Sequence, residues 1–389
     1  MAKRFRQGSV VIGGSLAQKP HFGGLTWVFL QLLLGFRRLG WDVLFLDRLD
    51  PEMCVDVSGA HCSFESSINV RYLGQVMAEY DLKDAFAVAG EGYRRFIGLT
   101  RSQVMERVRK ADFFLNVMGF FADPEIAGAA RRRVLYDIDP GFTQIWHELG
   151  LADLLRGQDD FVTVGENIGH DSCSIPTCGR AWIRTRHPVV LDQWPVANTA
   201  QNGRFTDLGA WRGPTGPIEY GGETYGLRVH EFRKFVALPR LTGEQFEVAF
   251  DIHPAEVKDL ALLAENNWRL VDPQTVAAGP VGYRNYLSNS QAQFMVAKGM
   301  YVQSRSGLIS DRCACYLAAG KPVLAQDTGF SANYPTGAGL IAFSSLEEAR
   351  AGVAEIAREY HKHSRAARAI AEEYFNSDNV LAELVAKLA

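Results

Sequence analysis

Two kinds of apolar spacing alternate along this chain. Short unbroken apolar runs end in Gly or Asp, and between them lie stretches whose apolar residues recur at steps of three and four. The clearest stripe is Leu25, Val28, Phe29, Leu32, Leu33, Phe36 and Leu39, which predicts a helix over 25–39 stopped by Gly40. Residues 8–14 before it and 41–47 after it read as buried strands. Together they make a βαβ opening with a right-handed crossover and a parallel sheet. Further buried strands are expected at 113–118, 134–138 and 161–164.

From 171 to 202 the chain turns rich in Pro, Cys, Thr and Gly and loses its period, which marks a connection between domains. Alternation then resumes. It predicts strands at 204–208, 246–250 and 268–271, with helices at 225–238 and 254–266. Next come a helix running into a turn over 286–298, a short strand at 300–303, a helix at 311–319 and a strand at 322–326. Ser310 suits the N-cap of the 311–319 helix and Gly320 its C-terminal stop. The tail reads as helices at 345–360, 365–375 and 379–388. The expected division is a first α/β domain over 1–175, a connection over 176–200, a second α/β domain over 201–362, and closing helices over 363–389.

Composition agrees with this picture. The chain has 389 residues, enough for two domains with their own cores. At 47% hydrophobic and 22% charged residues it is neither disordered nor fibrous. The formal net charge is −3 and the basic residues are scattered, so no nucleic-acid partner is expected. The longest apolar run, 25–36, is too short for a hydrocarbon core of about 30 Å. The first residues lack the apolar core of a secretory signal, so a soluble, cytoplasmic protein is expected. Six cysteines without a CxxC pair point to free thiols.

Ligands of open parallel sheets bind beyond the carboxyl ends of the strands, so the loops after strands carry the candidate chemistry. Gly23 and Gly24 stand directly before the first helix, where bare backbone and a helix N-terminus suit a phosphate or sugar; the plainer reading is a tight turn. His21, in the same loop, is a candidate general base or simply a surface histidine. After the first strand of the second half, Gly209 gives room and Arg212 offers charge for a diphosphate. Arg233 and Lys234 are candidates for the same duty or for a solvated helix face.

The densest stretch is 304–330, SRSGLISDRCACYLAAGKPVLAQDTGF. It offers Ser306, Gly307 and Ser310 in a loop, Asp311 and Arg312 at a helix N-terminus, and Asp327, Thr328 and Gly329 after a strand. There Asp311 suits ribose hydroxyls, or complements the helix dipole. Arg312 suits a phosphate, and Asp327 to Gly329 suit sugar hydroxyls or form a plain turn. Cys313 and Cys315 lie two apart on the helix and do not share a face for a metal. Asp139, in YDIDPGF, is an acceptor-side base candidate or a turn cap.

In FGGLTWVFLQLLLGFRRLGWDVLFLD near the start and SDRCACYLAAGKPVLAQDTGF near the end, the chain resembles bacterial GT-B glycosyltransferases that use nucleotide sugars. The resemblance implies two Rossmann-like domains facing each other across a cleft. A C-terminal helix would cross back to the first domain, and the cleft would close by a hinge. It also implies a hexosyl-type transfer from a UDP or TDP sugar held by the second domain to a hydroxyl acceptor held by the first, with no cofactor and no essential metal. A small-molecule, natural-product acceptor is the expectation by elimination. Many retaining members carry two glutamates that fall here on Gly307 and Cys315, so both are absent. Asp311, one turn before Cys315, is the expected substitute, and inversion or retention stays open. Two other readings remain: an epimerase of the same fold, and a non-catalytic sugar-nucleotide-binding protein.

Overall fold

The computed structural model describes residues 8–197, 203–213 and 215–389; residues 198–202, at the end of the expected connection, lie outside them. The apolar runs of the first half form β1 (Ser9–Gly13), β2 (Asp42–Leu49), β3 (Phe86–Gly90), β4 (Arg95–Gly98), β5 (Phe113–Val117), β6 (Arg133–Asp137), β7 (Asp160–Thr163) and β8 (Trp182–Arg184). They line up in one sheet in the order β4-β3-β2-β1-β5-β6-β7-β8, parallel throughout except for the antiparallel β3–β4 edge. β1 sits at the reversal of strand order, with Val10 opposite both Val43 and Phe113. The sheet's last strand, β8, falls within the stretch whose composition reads as a connection.

The second half gives β9 (Arg204–Ala210), the antiparallel hairpin β10 (Ile218–Tyr220) and β11 (Glu223–Tyr225), then β12 (Gln245–Asp251), β13 (Trp268–Leu270), β14 (Ala292–Met295), β15 (Val323–Gln326) and β16 (Leu340–Phe343). Six of these form a parallel sheet in the order β13-β12-β9-β14-β15-β16. Its reversal of order lies between β9 and β14, which is where such sheets bind ligands. The fold is therefore α/β, two Rossmann-like domains facing each other.

Three expected elements need correction. Residues 292–295 form a strand rather than the end of a helix, and Gly299–Ser304 is a helix rather than a strand. The buried Gln293 breaks the apolar run of β14, because its side chain donates to Asp207 (3.0 Å) instead of packing against hydrocarbon. The single helix expected over 225–238 is a hairpin strand followed by short helices, Arg228–Phe232 and Leu238–Thr242.

One apolar core runs from the first sheet through the helix Gly23–Arg38 and on to the helices Gly279–Asn289 and Asp311–Ala318 of the second domain. A second core lies on the other face of the second sheet. There Phe294 stacks on Phe343 with ring centres 5.3 Å apart. The helix Tyr360–Ile370 rests on the second domain, with Ser364 donating to the Gly320 carbonyl (2.7 Å). The chain then crosses: Val189 and Ser377 exchange backbone bonds with Phe375 and Val189. The last helix, Ser377–Leu388, lies on Gly23–Arg38. At Gly35 a Cβ would fall 2.5 Å from Leu381, so only glycine permits that approach. Arg38 fixes the junction through both oxygens of Asp378 (2.9 and 3.1 Å). All six cysteines are free. Among the described residues no helix is long and apolar enough to cross a membrane.

Candidate active site

Two adjoining cavities occupy the cleft. The first, of about 420 Å³, lies between His21–Leu25 of the first domain and Leu208–Ala210, Asp272–Gln274 and Tyr283 of the second. The second, of about 280 Å³, lies between Lys19, Met118, Phe120 and Asp139 on one side and Arg228, Lys298, Tyr301 and Thr328 on the other. Leu25, Ile138, Asp311 and Arg312 line both.

The wall between them is built on β9. Asp207 is fully buried there and is shared by Arg312 (3.4 Å) and Arg228 (3.6 Å). Two guanidiniums face this carboxylate, and the Asp311 charge also acts on Arg312. Among the described residues neither Nε has a hydrogen-bond partner. Burial, then the neighbouring Arg312 charge, pushes the Arg228 pKa down to about 10 against the pull of Asp207. Burial also works against the Arg312 charge, but Asp207 and Asp311 outweigh it and hold its pKa above the ordinary value. At Gly209 φ is +145°, and a Cβ would lie 2.8 Å from Arg228 Nη1 and 3.5 Å from Arg312 Nη1. The absence of a side chain there leaves both cations open to the cleft.

Ser310 caps the helix that carries Arg312 by accepting from Cys313 N–H (3.3 Å), and it also lines the second cavity. Asp311 stands in the first turn of this helix. Cys315, at the position aligned with a ribose-gripping glutamate, is buried and faces Gln31 of the first domain.

Asp139 does not stand alone. Lys298 donates to both its oxygens (3.1 and 2.9 Å), and the Tyr301 hydroxyl donates to the same carboxylate. His21, with φ of 68°, sits in the other cavity with its ring 4.6 Å from Tyr72. The two base candidates are thus in different cavities. Gly23 and Gly24 line the first cavity, and Gly23 is also pressed onto the second domain, where a Cβ would lie 2.3 Å from the Gly279 carbonyl.

Several expected ligand residues have other partners. Arg212 is held by both oxygens of Glu256 (2.5 and 2.9 Å) and lines neither cavity. Lys234 pairs with Glu231 (2.8 Å) and also lies outside both. Asp327 closes its own turn, accepting from Gly329 N–H (2.9 Å) and from the Ser331 hydroxyl (2.7 Å). Ser306, Gly307 and Gly329 fasten the domains together through Asn167. Its N–H donates to the Ser306 carbonyl (3.1 Å) and its side chain to the Gly329 carbonyl (3.2 Å). A Cβ on Gly307 or on Gly329 would come within 2.7 Å of it. Thr328 does reach the second cavity, while donating to the Leu308 carbonyl (2.7 Å).

Sequence reasoning passed over Asp207, Arg228, Lys298 and His187. A charged residue in the middle of the strand RFTDLGA was the available signal. His187 is buried and lines the second cavity. Burial lowers its pKa, opposed by the Asp311 charge. Among the described residues no three His, Cys, Asp or Glu side chains are grouped to hold a metal ion.

No protein-family model matches the chain, and no curated protein matches its sequence. Solved structures do match over nearly its whole length. Anabaena Alr3699/HepE in complex with UDP aligns with a TM-score of 0.58 at 11% identity, covering 98% of this chain and 99% of that one. An alpha-glucosyltransferase in complex with UDP and a 13-mer DNA aligns at 0.59 and 10% identity, covering 100% of both chains. AviGT4, a glycosyltransferase of avilamycin A biosynthesis, aligns at 0.55 and 11% identity, covering 98% of this chain and 96% of that one. The likeness establishes the fold of this chain as GT-B. One of these structures holds DNA, so fold gives no support to excluding a nucleic-acid partner on charge alone.

Proposed function

We propose that this protein is a glycosyltransferase that takes a sugar from a nucleoside diphosphate sugar and passes it to a hydroxyl acceptor. The observation that carries this reading is the pair Arg228 and Arg312, two buried cations on one carboxylate, open beside Gly209 between two cavities. A diphosphate gains charge as its bond to the sugar breaks, and preorganised cations in a water-poor cleft stabilise that charge. The nucleoside then lies in the first cavity and the diphosphate against the two guanidiniums. The sugar and acceptor meet in the second cavity.

Asp311, lining both cavities, is assigned to the ribose, and His21, Gly23 and Gly24 to the nucleoside side. Ser310 and Thr328 face the sugar. Asp139, tied to Lys298, is assigned to closing the cleft. The domain of the second sheet is the donor domain, and the domain of the first sheet, which runs on through β8, is the acceptor domain. UDP in two of the matched structures favours a uridine donor, and the avilamycin enzyme favours a small-molecule natural product as acceptor.

A thermal-shift panel of UDP, TDP, GDP and ADP tests the reading, since a ligand that binds the folded state raises the melting temperature by mass action. The expected result is a rise with one nucleoside diphosphate, followed by turnover of its sugar conjugate. No rise with any of them overturns the assignment.

A further inference from the structure

His187 is the one neutral, uncommitted side chain on the sugar side of the proposed donor site. It belongs to the segment that follows β8, only a few residues before the point where the chain crosses between domains. Its side chain is 7% exposed, yet among the described residues neither ring nitrogen makes a hydrogen bond. Its nitrogens are not among the fully enclosed polar atoms that lack a partner, so they keep access to the cavity, where a ligand hydroxyl can pair with them.

The lining of the two cavities says which ligand group that is. Asp311 and Arg312 line both cavities, whereas His187 lines the second and not the first. Arg228 shares the second cavity with His187 and Arg312 lines both, so a sugar joined to a diphosphate on these cations falls within reach of the cavity that His187 lines. Lys298 and Asp139, in the same cavity, hold each other, and Thr328 donates its hydroxyl proton to Leu308. Asp311 lines the same cavity, and its charge acts on His187. A neutral imidazole carries one donor and one acceptor nitrogen, and either can pair with a hydroxyl. A narrow recess of about 10 Å³ also joins His187 and Asp311 to Tyr136, whose buried hydroxyl has no partner.

We propose that His187 is a specificity residue that hydrogen-bonds a hydroxyl of the transferred sugar. This inference rests on the donor-site reading above, and the test separates the two. UDP and TDP are titrated calorimetrically into wild type, His187→Ala and His187→Asn. Turnover is then measured with UDP-glucose, UDP-galactose, UDP-N-acetylglucosamine and TDP-glucose. The expected outcome is nucleotide affinity within twofold of wild type in both variants, with kcat/KM for the preferred sugar donor lowered tenfold or more in His187→Ala. His187→Asn, which keeps a polar contact, should recover part of that loss. Circular dichroism and melting temperature identify any variant that fails to fold, in which case the other carries the comparison. Unchanged turnover, or nucleotide affinity that falls as far as turnover, overturns the role of His187 alone. Failure of every nucleotide to bind wild type overturns the donor site and this inference together.

Discussion

Asp139 of the first domain and Lys298 of the second form an ion pair of 2.9 Å across the cleft, and the Tyr301 hydroxyl binds the same carboxylate. The lysine is 24% exposed and the aspartate 34%, so solvent screens the pair, and such contacts are worth about 0.2–1 kcal/mol. Asp139→Asn and Lys298→Met should therefore each open the cleft slightly and lower turnover by the same modest factor, up to about fivefold. Small-angle scattering and steady-state kinetics measure both effects. A base acting at Asp139 would instead make Asp139→Asn about 10²–10⁴-fold slower while leaving Lys298→Met active.

Arg228 and Arg312, which face Asp207, and Arg212, which faces Glu256, predict different consequences on substitution. Hydrogen bonds to charged groups contribute about 1.5–3 kcal/mol, so Arg228→Met and Arg312→Met should each weaken UDP binding by about ten- to a hundredfold. Arg212→Ala, which disturbs only an exposed pair with Glu256, should leave affinity within about twofold. Asp207→Asn removes the buried carboxylate that both cations face and should cost about 3–5 kcal/mol of folding stability. Calorimetry and urea unfolding check the set, and equal affinity loss in the Arg212 variant would move the anion site away from Gly209.

The contrast between Arg212 and Arg228 shows what the sequence made legible. The helix Gly23–Arg38 and the capped helix Asp311–Ala318 were readable because local spacing and a local cap define them. The alternating strands were readable for the same reason, and with them the two-domain fold. Arg212 looked like a ligand residue because it follows a strand, but Glu256, distant in sequence, takes its charge. Arg228 looked like an ordinary helix residue and becomes part of the site only because β9 places Asp207 against it. His187 gave no signal at all, since its importance depends on which cavity the segment after β8 borders.

Asp47 makes stability depend on pH. It is fully buried, and burial pushes its pKa up to about 7 despite hydrogen bonds from the Gln18 side chain and from the backbone of Ala17 and Arg48. An unfolded aspartate titrates near 3.9, so the folded chain holds this proton more tightly. The resulting stabilisation is complete below about pH 4 and is lost as pH rises through about 7. Asp137, raised by burial to about 6, acts in the same direction. Urea unfolding between these limits should show stability falling with pH, with a shallower slope in Asp47→Asn. An unchanged slope in that variant would exclude Asp47 as a source.

Gly23 and Gly24 permit a test of whether the glycines before the first helix serve a ligand or the contact between domains. A Cβ on Gly23 meets backbone, the carbonyls of Gly279 at 2.3 Å and Ala277 at 2.6 Å, which cannot rotate away. A Cβ on Gly24 meets the Tyr283 ring at 3.0 Å, a contact that a small shift relieves. Gly23→Ala should therefore cost about 1–3 kcal/mol, the usual penalty of overpacking, and Gly24→Ala clearly less. The loss should appear as a less closed pair of domains, because the strain falls on their contact and not inside either sheet. A melting temperature lowered in Gly23→Ala, with hydrogen exchange rising at 277–283 and unchanged in β1 and β9, would match a contact between domains. If both variants melt like wild type but lose UDP affinity, the glycines serve the ligand instead.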